Sequence, residues 1–163
     1  MSVEAVRDYL RRWNRQEDIL LMDVSTATVP LAAKALGVEE ARIAKTLSFA
    51  QGEGALVLVV AGDQKIDNRK FKDRFGMKAR MLSPEDALRL TGHPVGGVCP
   101  FALPEGTPVY LDRSLTRFTT VYPACGAGNS AIEMTMETLE TCSQADGWVD
   151  VCKPIATDLP AAQ

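Results

Sequence analysis

Two apolar segments separated by a glycine-containing turn constrain the fold of this chain most strongly. Residues 45–50 alternate in polarity and residues 55–61 are entirely apolar, a pattern that predicts two neighbouring strands. The residues between them, Gln51-Gly52-Glu53-Gly54, are typical of the turn in a β-hairpin. The sequence therefore predicts an antiparallel pair of strands.

Three segments begin with a helix-capping side chain and end with glycine, which predicts helices over residues 28–37, 67–76 and 83–92. Pro30 suits the first turn of the first of them. The other predicted elements are helices over residues 2–16 and 136–142 and strands over residues 79–82, 108–111, 118–122, 131–134 and 148–151.

Strands and helices are mixed without a regular βαβ repeat, which favours an α+β fold with a curved, mixed β-sheet. The chain has 163 residues, of which 46% are hydrophobic and 24% charged, so it is long enough for one sizeable core. We expect a single domain over residues 1–153 and a loose tail over residues 154–163.

A loop at residues 91–101 contains Gly96-Gly97 and ends in Cys99-Pro100-Phe101. Glycine allows positive φ and lets a ligand approach the main chain, while Pro100 restricts the end of the turn. A loop of this kind can bind a ligand through its backbone amides. The alternative is that the glycine pair serves only as a turn.

Lys45 opens the first strand of the hairpin, and a period of two places it on one face with Leu47 and Phe49. If that face is the inner one, an ammonium group lies at the edge of an apolar pocket, where it suits a charged or carbonyl-bearing ligand. The alternative is a strand-end lysine that extends into water.

These segments, in this order and spacing, resemble the YbaK/ProX-type aminoacyl-tRNA deacylases, freestanding relatives of the editing domain inserted in many bacterial prolyl-tRNA synthetases. The resemblance covers most of the chain. It rests on residues 32–37, Lys45-Thr46-Leu47, residues 59–63, Asp67, residues 91–101, Val109-Tyr110-Leu111-Asp112 and residues 120–134. It implies a small barrel-like mixed sheet surrounded by helices, with a ligand pocket between the sheet and the Gly96-Gly97 loop.

The resemblance also implies a function: trans-acting aminoacyl-tRNA editing, in which the ester of a mischarged tRNA is hydrolysed. The expected substrate is tRNA(Pro) carrying a small amino acid such as alanine, cysteine, serine or threonine. An aminoacyl-tRNA synthetase is a further candidate partner. No side-chain base is evident, so the terminal ribose hydroxyl of the tRNA is a candidate participant, and neither a cofactor nor a metal ion is expected.

The resemblance assigns Lys45 to the family's functional lysine. The loop residues that correspond to the family's substrate loop are Gly96, Gly97, Val98, Cys99 and Pro100. We expect Lys45 to contact the terminal phosphate or the ester carbonyl, and the loop amides to stabilise the oxyanion. The candidate substrate-binding residues are Met22, Phe49, Phe101, Tyr122, Asn129 and Ser130. Core packing is the alternative role for Met22 and Phe49, and a simple turn is the alternative for the segment with Asn129.

Two other functions remain open on the residues alone. Cys99 could be a thiol nucleophile, although a reactive thiolate needs a basic neighbour and His93 is six residues away. The second alternative is a non-catalytic module that binds an amino acid, a nucleotide or a tRNA end in the same pocket.

Composition limits the cellular context and the partners. No apolar segment reaches the ~20 residues of a membrane span and the N-terminus is charged, so we expect a cytoplasmic protein with neither a membrane nor DNA as partner. The four cysteines and one histidine lack zinc-site spacing. Net charge is −3, but seven basic residues lie in the segment from Lys65 to Arg80, and this cluster is a candidate contact for tRNA phosphates. The alternative is an ordinary solvated helix face.

Overall fold

The computed structural model describes residues 2–155, which form a curled six-stranded sheet surrounded by helices. The α-helices are α1 (Ser2–Leu10), α2 (Val29–Leu36), α3 (Asn68–Phe75), α4 (Pro84–Thr91) and α5 (Met136–Ser143). The strands are β1 (Leu20–Leu21), β2 (Ile43–Gln51), β3 (Gly54–Ala61), β4 (Gln64–Ile66), β5 (Val109–Asp112), β6 (Thr120–Pro123), β7 (Ser130–Ala131), β8 (Met134–Thr135), β9 (Gly147–Val149) and β10 (Cys152–Pro154). None of the described helices is long and apolar enough to cross a membrane.

The predicted hairpin forms the centre of the sheet. Strands β2 and β3 pair antiparallel over their whole length, with Lys45 opposite Val60 and Phe49 opposite Leu56. The strand order is β8-β6-β2-β3-β5-β9, in which β2–β6, β3–β5 and β5–β9 are parallel pairs. The prediction of an α+β fold with a curved, mixed sheet is confirmed.

The predicted capping residues begin and end the helices as expected. The side chains of Thr28, Asp67 and Ser83 accept hydrogen bonds from amides in the first turns of α2, α3 and α4. Each of these helices ends at a glycine with positive φ. Each capping hydrogen bond joins a side chain to an amide only a few residues away, so the sequence alone predicts these helix boundaries well.

Four predicted elements differ from the structure. The predicted strand at residues 131–134 is interrupted, because β7 pairs with β1 while β8 pairs with β6 in the main sheet. Helix α1 ends at Leu10 and is followed by a 3-10 helix over Arg11–Trp13, which ends at Asn14 with left-handed backbone angles. The predicted strand at residues 79–82 is reduced to a single bridge between Phe49 and Met81. The predicted strand at residues 148–151 corresponds to β9, which ends at Val149. A separate strand, β10, follows it and pairs with β4 outside the main sheet.

The predicted tail begins at residue 154, where Pro154 pairs with Gln64 in the β10–β4 ladder. Residues 156–163 of that tail lie outside the described residues.

Apolar side chains form separate clusters on the two faces of the hairpin. One face carries Ala44, Val59 and Ala61 and packs against α1 and α5. The other face carries Phe49, Leu56, Leu58 and Val60 and packs against Phe71 of α3. A smaller cluster holds α2 against Ile43 at the start of β2. Because both faces are covered by these clusters, the remaining access to the hairpin is along the outer edge of β2.

Candidate active site

The outer edge of β2 is paired at its two ends and unpaired in the middle. At the start of the strand, Ile43 and Ala44 pair with β6. Towards its end, Ser48 and Ala50 bond with residues 80–82, through Leu82 N to Ser48 O at 3.0 Å and Ala50 N to Arg80 O at 2.8 Å. Among the described residues, no strand pairs with this edge between Ala44 and Ser48. The two neighbours of β2 therefore diverge and leave an opening.

A cavity of about 300 Å³ occupies this opening. Its walls are the residues before and within α2, the middle of β2, the start of α4 and the loop that follows α4. The side chains and backbone that line it belong to Thr26, Ala27, Thr28, Val29, Ala32, Leu36, Ile43, Ala44, Lys45, Thr46, Leu47, Ser48, Met81, Leu82, Ala87, Val95, Gly96, Val98, Tyr122, Ala124, Ser130 and Ala131. The cavity is thus mostly apolar, with a few hydroxyl groups and one ammonium.

That ammonium belongs to Lys45, which is half-buried in the cavity wall. Burial lowers the pKa of Lys45, while the nearby Cys152 and Asp63 act in the opposite direction. Asp63 is already paired with Arg117, whose two guanidinium nitrogens donate to the carboxylate at 2.7 and 3.1 Å. Within residues 2–155, Lys45 forms no ion pair of its own. Its charge is therefore available to a ligand.

Thr46 follows Lys45 in β2, and its side chain lies on the opposite face of the strand. Its Oγ1 atom is buried and has no hydrogen-bond partner among the described residues. In an antiparallel strand alternate residues direct their N–H and C=O groups to the same edge, so the backbone of Thr46 faces the opening as Ser48 and Ala50 face residues 80–82. These backbone groups of Thr46 are therefore available to a ligand in the opening.

The opposite wall is a loop over residues 94–100, here called the glycine loop. Gly96 has a φ of +96°, and a Cβ there would lie 3.0 Å from the Cβ of Ala27. A Cβ on Gly97 would lie 2.5 Å from the backbone nitrogen of Ala127 and 2.6 Å from the carbonyl carbon of Gly126. Both glycines are required by close backbone contact, which packs the loop against residues 25–28 and 126–128.

The glycine loop has one internal backbone hydrogen bond, from Gly97 N to Pro94 O at 2.9 Å. The amides of Gly96 and Val98 have no backbone acceptor among the described residues, and both residues line the cavity. Two residues with free backbone N–H donors and a lysine with an unpaired ammonium therefore line the same cavity, which suits a ligand with a polarised carbonyl or a negatively charged oxygen.

Comparison with known sequences identifies the family of this chain. The sequence model of the aminoacyl-tRNA editing domain matches residues 23–142, which include β2, the glycine loop and every residue that lines the cavity. The chain belongs to the aminoacyl-tRNA editing domain family. The prediction of a YbaK/ProX-type relative is confirmed.

Similar proteins agree with this assignment. An uncharacterized protein of Bacillus subtilis (strain 168), YwhH, is 52% identical over 154 residues, which is 94% of this chain and 98% of YwhH. The proline–tRNA ligase of Solidesulfovibrio magneticus is 36% identical over 90 residues, which cover 54% of this chain and 15% of the ligase. A crystal structure of a candidate trans-editing enzyme for prolyl-tRNA synthetase superposes with a TM-score of 0.84 at 29% identity and covers 93% of this chain and 97% of that protein.

The structure brings five of the predicted site residues to the cavity of this editing domain: Lys45, Gly96, Val98, Tyr122 and Ser130. Burial raises the pKa of Tyr122, so its phenol stays neutral at physiological pH. The hydroxyl of Ser130 is engaged in the neighbouring turn, where it accepts from Cys125 N at 3.0 Å and donates to Ala127 O at 2.8 Å. Ser130 therefore holds the turn that packs against Gly97.

The other predicted loop residues lie behind or beside the cavity wall. Gly97 packs on the backbone of residues 126–127, and Cys99 and Phe101 are buried in the cluster beneath the loop. Burial raises the pKa of the Cys99 thiol to about 12. Pro100 lines a separate and more open groove of about 1060 Å³ that is bordered by α1 and residues 102–110. This larger groove is lined by neither Lys45 nor the loop glycines Gly96 and Gly97.

Phe49, Met22 and Asn129 are not among the residues that line the cavity. Phe49 shares a face with Lys45, as the alternation predicts, but that end of the face is covered by α3, whose Phe71 ring lies 4.9 Å from the Phe49 ring. Met22 and Asn129 bond to each other, with Met22 N donating to Asn129 O at 2.8 Å and Asn129 Nδ2 donating to Met22 O at 3.2 Å. This pairing continues the short β1–β7 ladder.

Sequence reasoning missed several residues of the cavity wall, among them Thr26, Thr46, Ser48, Met81 and Val95. Thr46 is the one with a usable signal, because it directly follows Lys45 in the predicted strand. A residue at the open edge of a strand can line a cavity with its backbone groups as well as its side chain, whereas the alternation of polarity along a strand reports only on side chains. The contribution of Met81 depends on the isolated bridge to Phe49, which no local pattern indicates.

Proposed function

We propose that this protein is a trans-acting deacylase, which hydrolyses the ester of a mischarged tRNA in the β2 cavity. One observation carries the proposal: the unpaired ammonium of Lys45 and the free amides of Gly96 and Val98 line the same cavity of an editing-domain fold. Ester hydrolysis develops negative charge on the carbonyl oxygen. Positioned N–H donors and a partly desolvated cation stabilise that charge.

The roles follow from the chemistry of these groups. The amides of Gly96 and Val98 would bind the oxyanion, and Lys45 would bind the ester carbonyl or the terminal phosphate. The backbone N–H and C=O of Thr46, which face the open edge of β2, would bond to polar groups of the bound aminoacyl ribose. A cation of lowered pKa in a mostly apolar cavity attracts an anion more strongly than one in water.

The water activation step is assigned to the substrate. No carboxylate, imidazole or thiol is among the described residues that line the cavity. The ribose hydroxyl next to the ester is the remaining group that can orient a water molecule or accept its proton. Substrate assistance of this kind requires a tightly held ribose, which fits a site built from backbone amides and one lysine.

The size of the cavity and the relatives support the choice of substrate. A volume of about 300 Å³ with largely apolar walls suits a small amino acid on a terminal nucleotide. The matched segment of a proline–tRNA ligase and the fold of a candidate trans-editing enzyme for prolyl-tRNA synthetase favour tRNA(Pro) as the acceptor. We propose alanine, cysteine, serine or threonine as the amino acid. The protein partner we propose is an aminoacyl-tRNA synthetase that presents the mischarged tRNA to this protein.

The basic cluster of residues 65–80 is proposed to hold the tRNA body. Lys70 is paired with Asp150 at 3.4 Å. Arg69, Lys72, Lys78 and Arg80 are exposed and form no ion pair among the described residues. Arg80 precedes Met81 and Leu82, which line the cavity, so this surface leads to the site. Cations that are free of carboxylate partners contribute to phosphate binding by releasing counterions.

A second function, that of a non-catalytic module that binds an aminoacyl nucleotide or tRNA end, is favoured by the lack of a side-chain base in the cavity wall. Measuring the loss of ester from tRNA(Pro) charged with alanine, cysteine, serine or threonine separates the two. We expect at least one species to be deacylated faster than in buffer, with correctly charged Pro-tRNA(Pro) as control. Tight binding that protects every ester from hydrolysis would instead establish the binding module.

A further inference from the structure

His93 is the one histidine of the chain and is 1% exposed, directly before the glycine loop. It lines neither the β2 cavity nor the larger groove. A role as general base would need contact with the substrate, which this position does not allow. The ring nevertheless has polar contacts on both sides, and the function proposed above does not use them.

The contacts of His93 join the two ends of the glycine loop. Its Nε2 atom lies 2.7 Å from the carbonyl oxygen of Phe101, the residue that follows the loop. On the near side, His93 N donates to Thr91 Oγ1 at 3.1 Å, and Thr91 Oγ1 donates to Ala87 O at 2.6 Å. The ring therefore spans from the last turn of α4 to the end of the loop.

The partners of the ring define its protonation state. A carbonyl oxygen only accepts hydrogen bonds, so Nε2 carries the proton that is shared with Phe101. The Nδ1 atom is hydrogen-bonded to the hydroxyl of Ser2, which donates to it when the ring is neutral. Burial lowers the pKa of His93, and the Cys99 side chain, whose Sγ lies 3.5 Å from Nε2, is a neutral thiol. The ring is held as one neutral tautomer.

Ser2 extends this contact to the opposite side of the loop. A Cβ on Gly126 would lie 2.6 Å from Ser2 Oγ and 2.9 Å from Ser2 O, so α1 begins directly on the turn at residues 126–128. The same turn packs on Gly97, as described above. Ser2, His93 and Gly126 thus join α1, the glycine loop and the turn at a single buried point.

We propose that His93 is a positioning residue that fixes the geometry of the glycine loop by clamping its ends and anchoring it to Ser2 of α1. The clamp sets where the amides of Gly96 and Val98 point. The effect on catalysis rests on the proposed function, whereas the effect on the loop itself does not.

The imidazole spectrum tests the clamp directly, because one histidine gives one set of ring ¹⁵N signals. We expect a neutral ring protonated at Nε2, with Ser2→Ala changing the Nδ1 signal and leaving the tautomer unchanged. A ring protonated at Nδ1, or one that exchanges between tautomers, would overturn the clamp.

Two substitutions then separate positioning from general stability. In His93→Gln the side-chain amide replaces the Nε2 donor to Phe101, whereas in His93→Asn the amide reaches only the Nδ1 position. We expect the amide shifts of Gly96 and Val98 to stay near wild type in His93→Gln and to move in His93→Asn. For deacylation, we expect kcat to fall about 100-fold in His93→Asn with KM nearly unchanged, and His93→Gln to restore most of it.

Equal behaviour of the two variants, or losses that follow the folded fraction alone, would contradict the clamp. If His93→Asn does not fold, Ser2→Ala carries the test through the ring ¹⁵N signals and the shifts of Gly96 and Val98, and unmoved signals count against the proposal. If the wild type deacylates no charged tRNA, the proposed function fails, while the amide shifts still decide the clamp.

Discussion

Lys45 is the residue on which the electrostatics of the site depend, and its lowered pKa has a measurable consequence. The folded protein binds this proton more weakly than the unfolded chain does, so unfolding takes up a proton at pH values between the lowered pKa and the usual value of 10.5. Stability should therefore rise with pH across that window. We predict that the free energy of unfolding in urea increases as the pH rises towards 10.5 through this group.

The matched control is Lys45→Met, which keeps the length of the side chain and removes the charge. We expect this variant to be at least as stable as wild type at neutral pH, because no ammonium is desolvated. The difference in unfolding free energy between the two proteins should shrink as pH rises. A difference that is constant with pH would show that Lys45 is as solvated in the fold as in the unfolded chain.

Cys99 provides a second test at the residue scale. Its thiol is fully buried, its pKa is raised to about 12 and it does not line the cavity, so we predict that Cys99→Ala retains deacylation per folded molecule. Stability should fall by about 1 kcal/mol because a packed atom is lost. Cys125→Ala, which removes a second buried thiol of the same cluster, is the control. Loss of activity in Cys99→Ala alone would indicate a nucleophile.

The glycine loop is the element whose shape the proposed chemistry requires. A Cβ at position 97 would overlap backbone atoms of Ala127 and Gly126, which cannot move as a side chain can. We predict that Gly97→Ala displaces the loop and reduces deacylation about 100-fold, measured as single-turnover rates. Gly54→Ala is the matched control, since its Cβ would meet only Gln51 O at 3.8 Å. Equal activity of both variants would show that the loop position does not limit the reaction.

The elements divide into those that local signals predict and those that they do not. The hairpin and helices α2, α3 and α4 follow from alternation, caps and terminal glycines, each of which acts over a few residues. Strands β1, β4, β7 and β10 are two or three residues long and exist through pairs such as Leu20 with Ala131 and Cys152 with Ile66. Pairing across such sequence distances leaves no period to detect.

The candidate site divides in the same way. Lys45 is recognisable because a lysine is unusual in a half-buried strand. Gly96 and Gly97 are recognisable because a glycine pair exposes the backbone of a loop. The open edge of β2 is not, because it depends on where β6 and residues 80–82 diverge. For the same reason the shared face of Lys45, Leu47 and Phe49 did not indicate that α3 covers Phe49 while Lys45 stays accessible.

At the scale of the whole molecule, a net charge of −3 must be reconciled with a polyanionic substrate. The unpaired cations of residues 65–80 provide a local positive surface, and we predict that the double substitution Lys72→Glu, Lys78→Glu weakens tRNA binding about tenfold at low salt. The effect should disappear at high salt because screening shortens the range of the interaction.

Hydrolysis of a minimal substrate, an aminoacyl ester of adenosine without the tRNA body, is the control for this surface. We expect the double variant to hydrolyse it at the wild-type rate, because the cavity is unchanged. Weaker hydrolysis of the minimal substrate would instead mean that the two lysines affect the site itself.

The most direct test of the central claim compares wild type with Lys45→Met on the mischarged tRNA(Pro) that wild type deacylates best, in single-turnover reactions at low salt. We predict that wild type removes the amino acid and that Lys45→Met, although folded and still able to bind the tRNA, leaves the ester intact for at least about 100 times longer. Equal rates for the two proteins would contradict the assignment of the reaction to the β2 cavity.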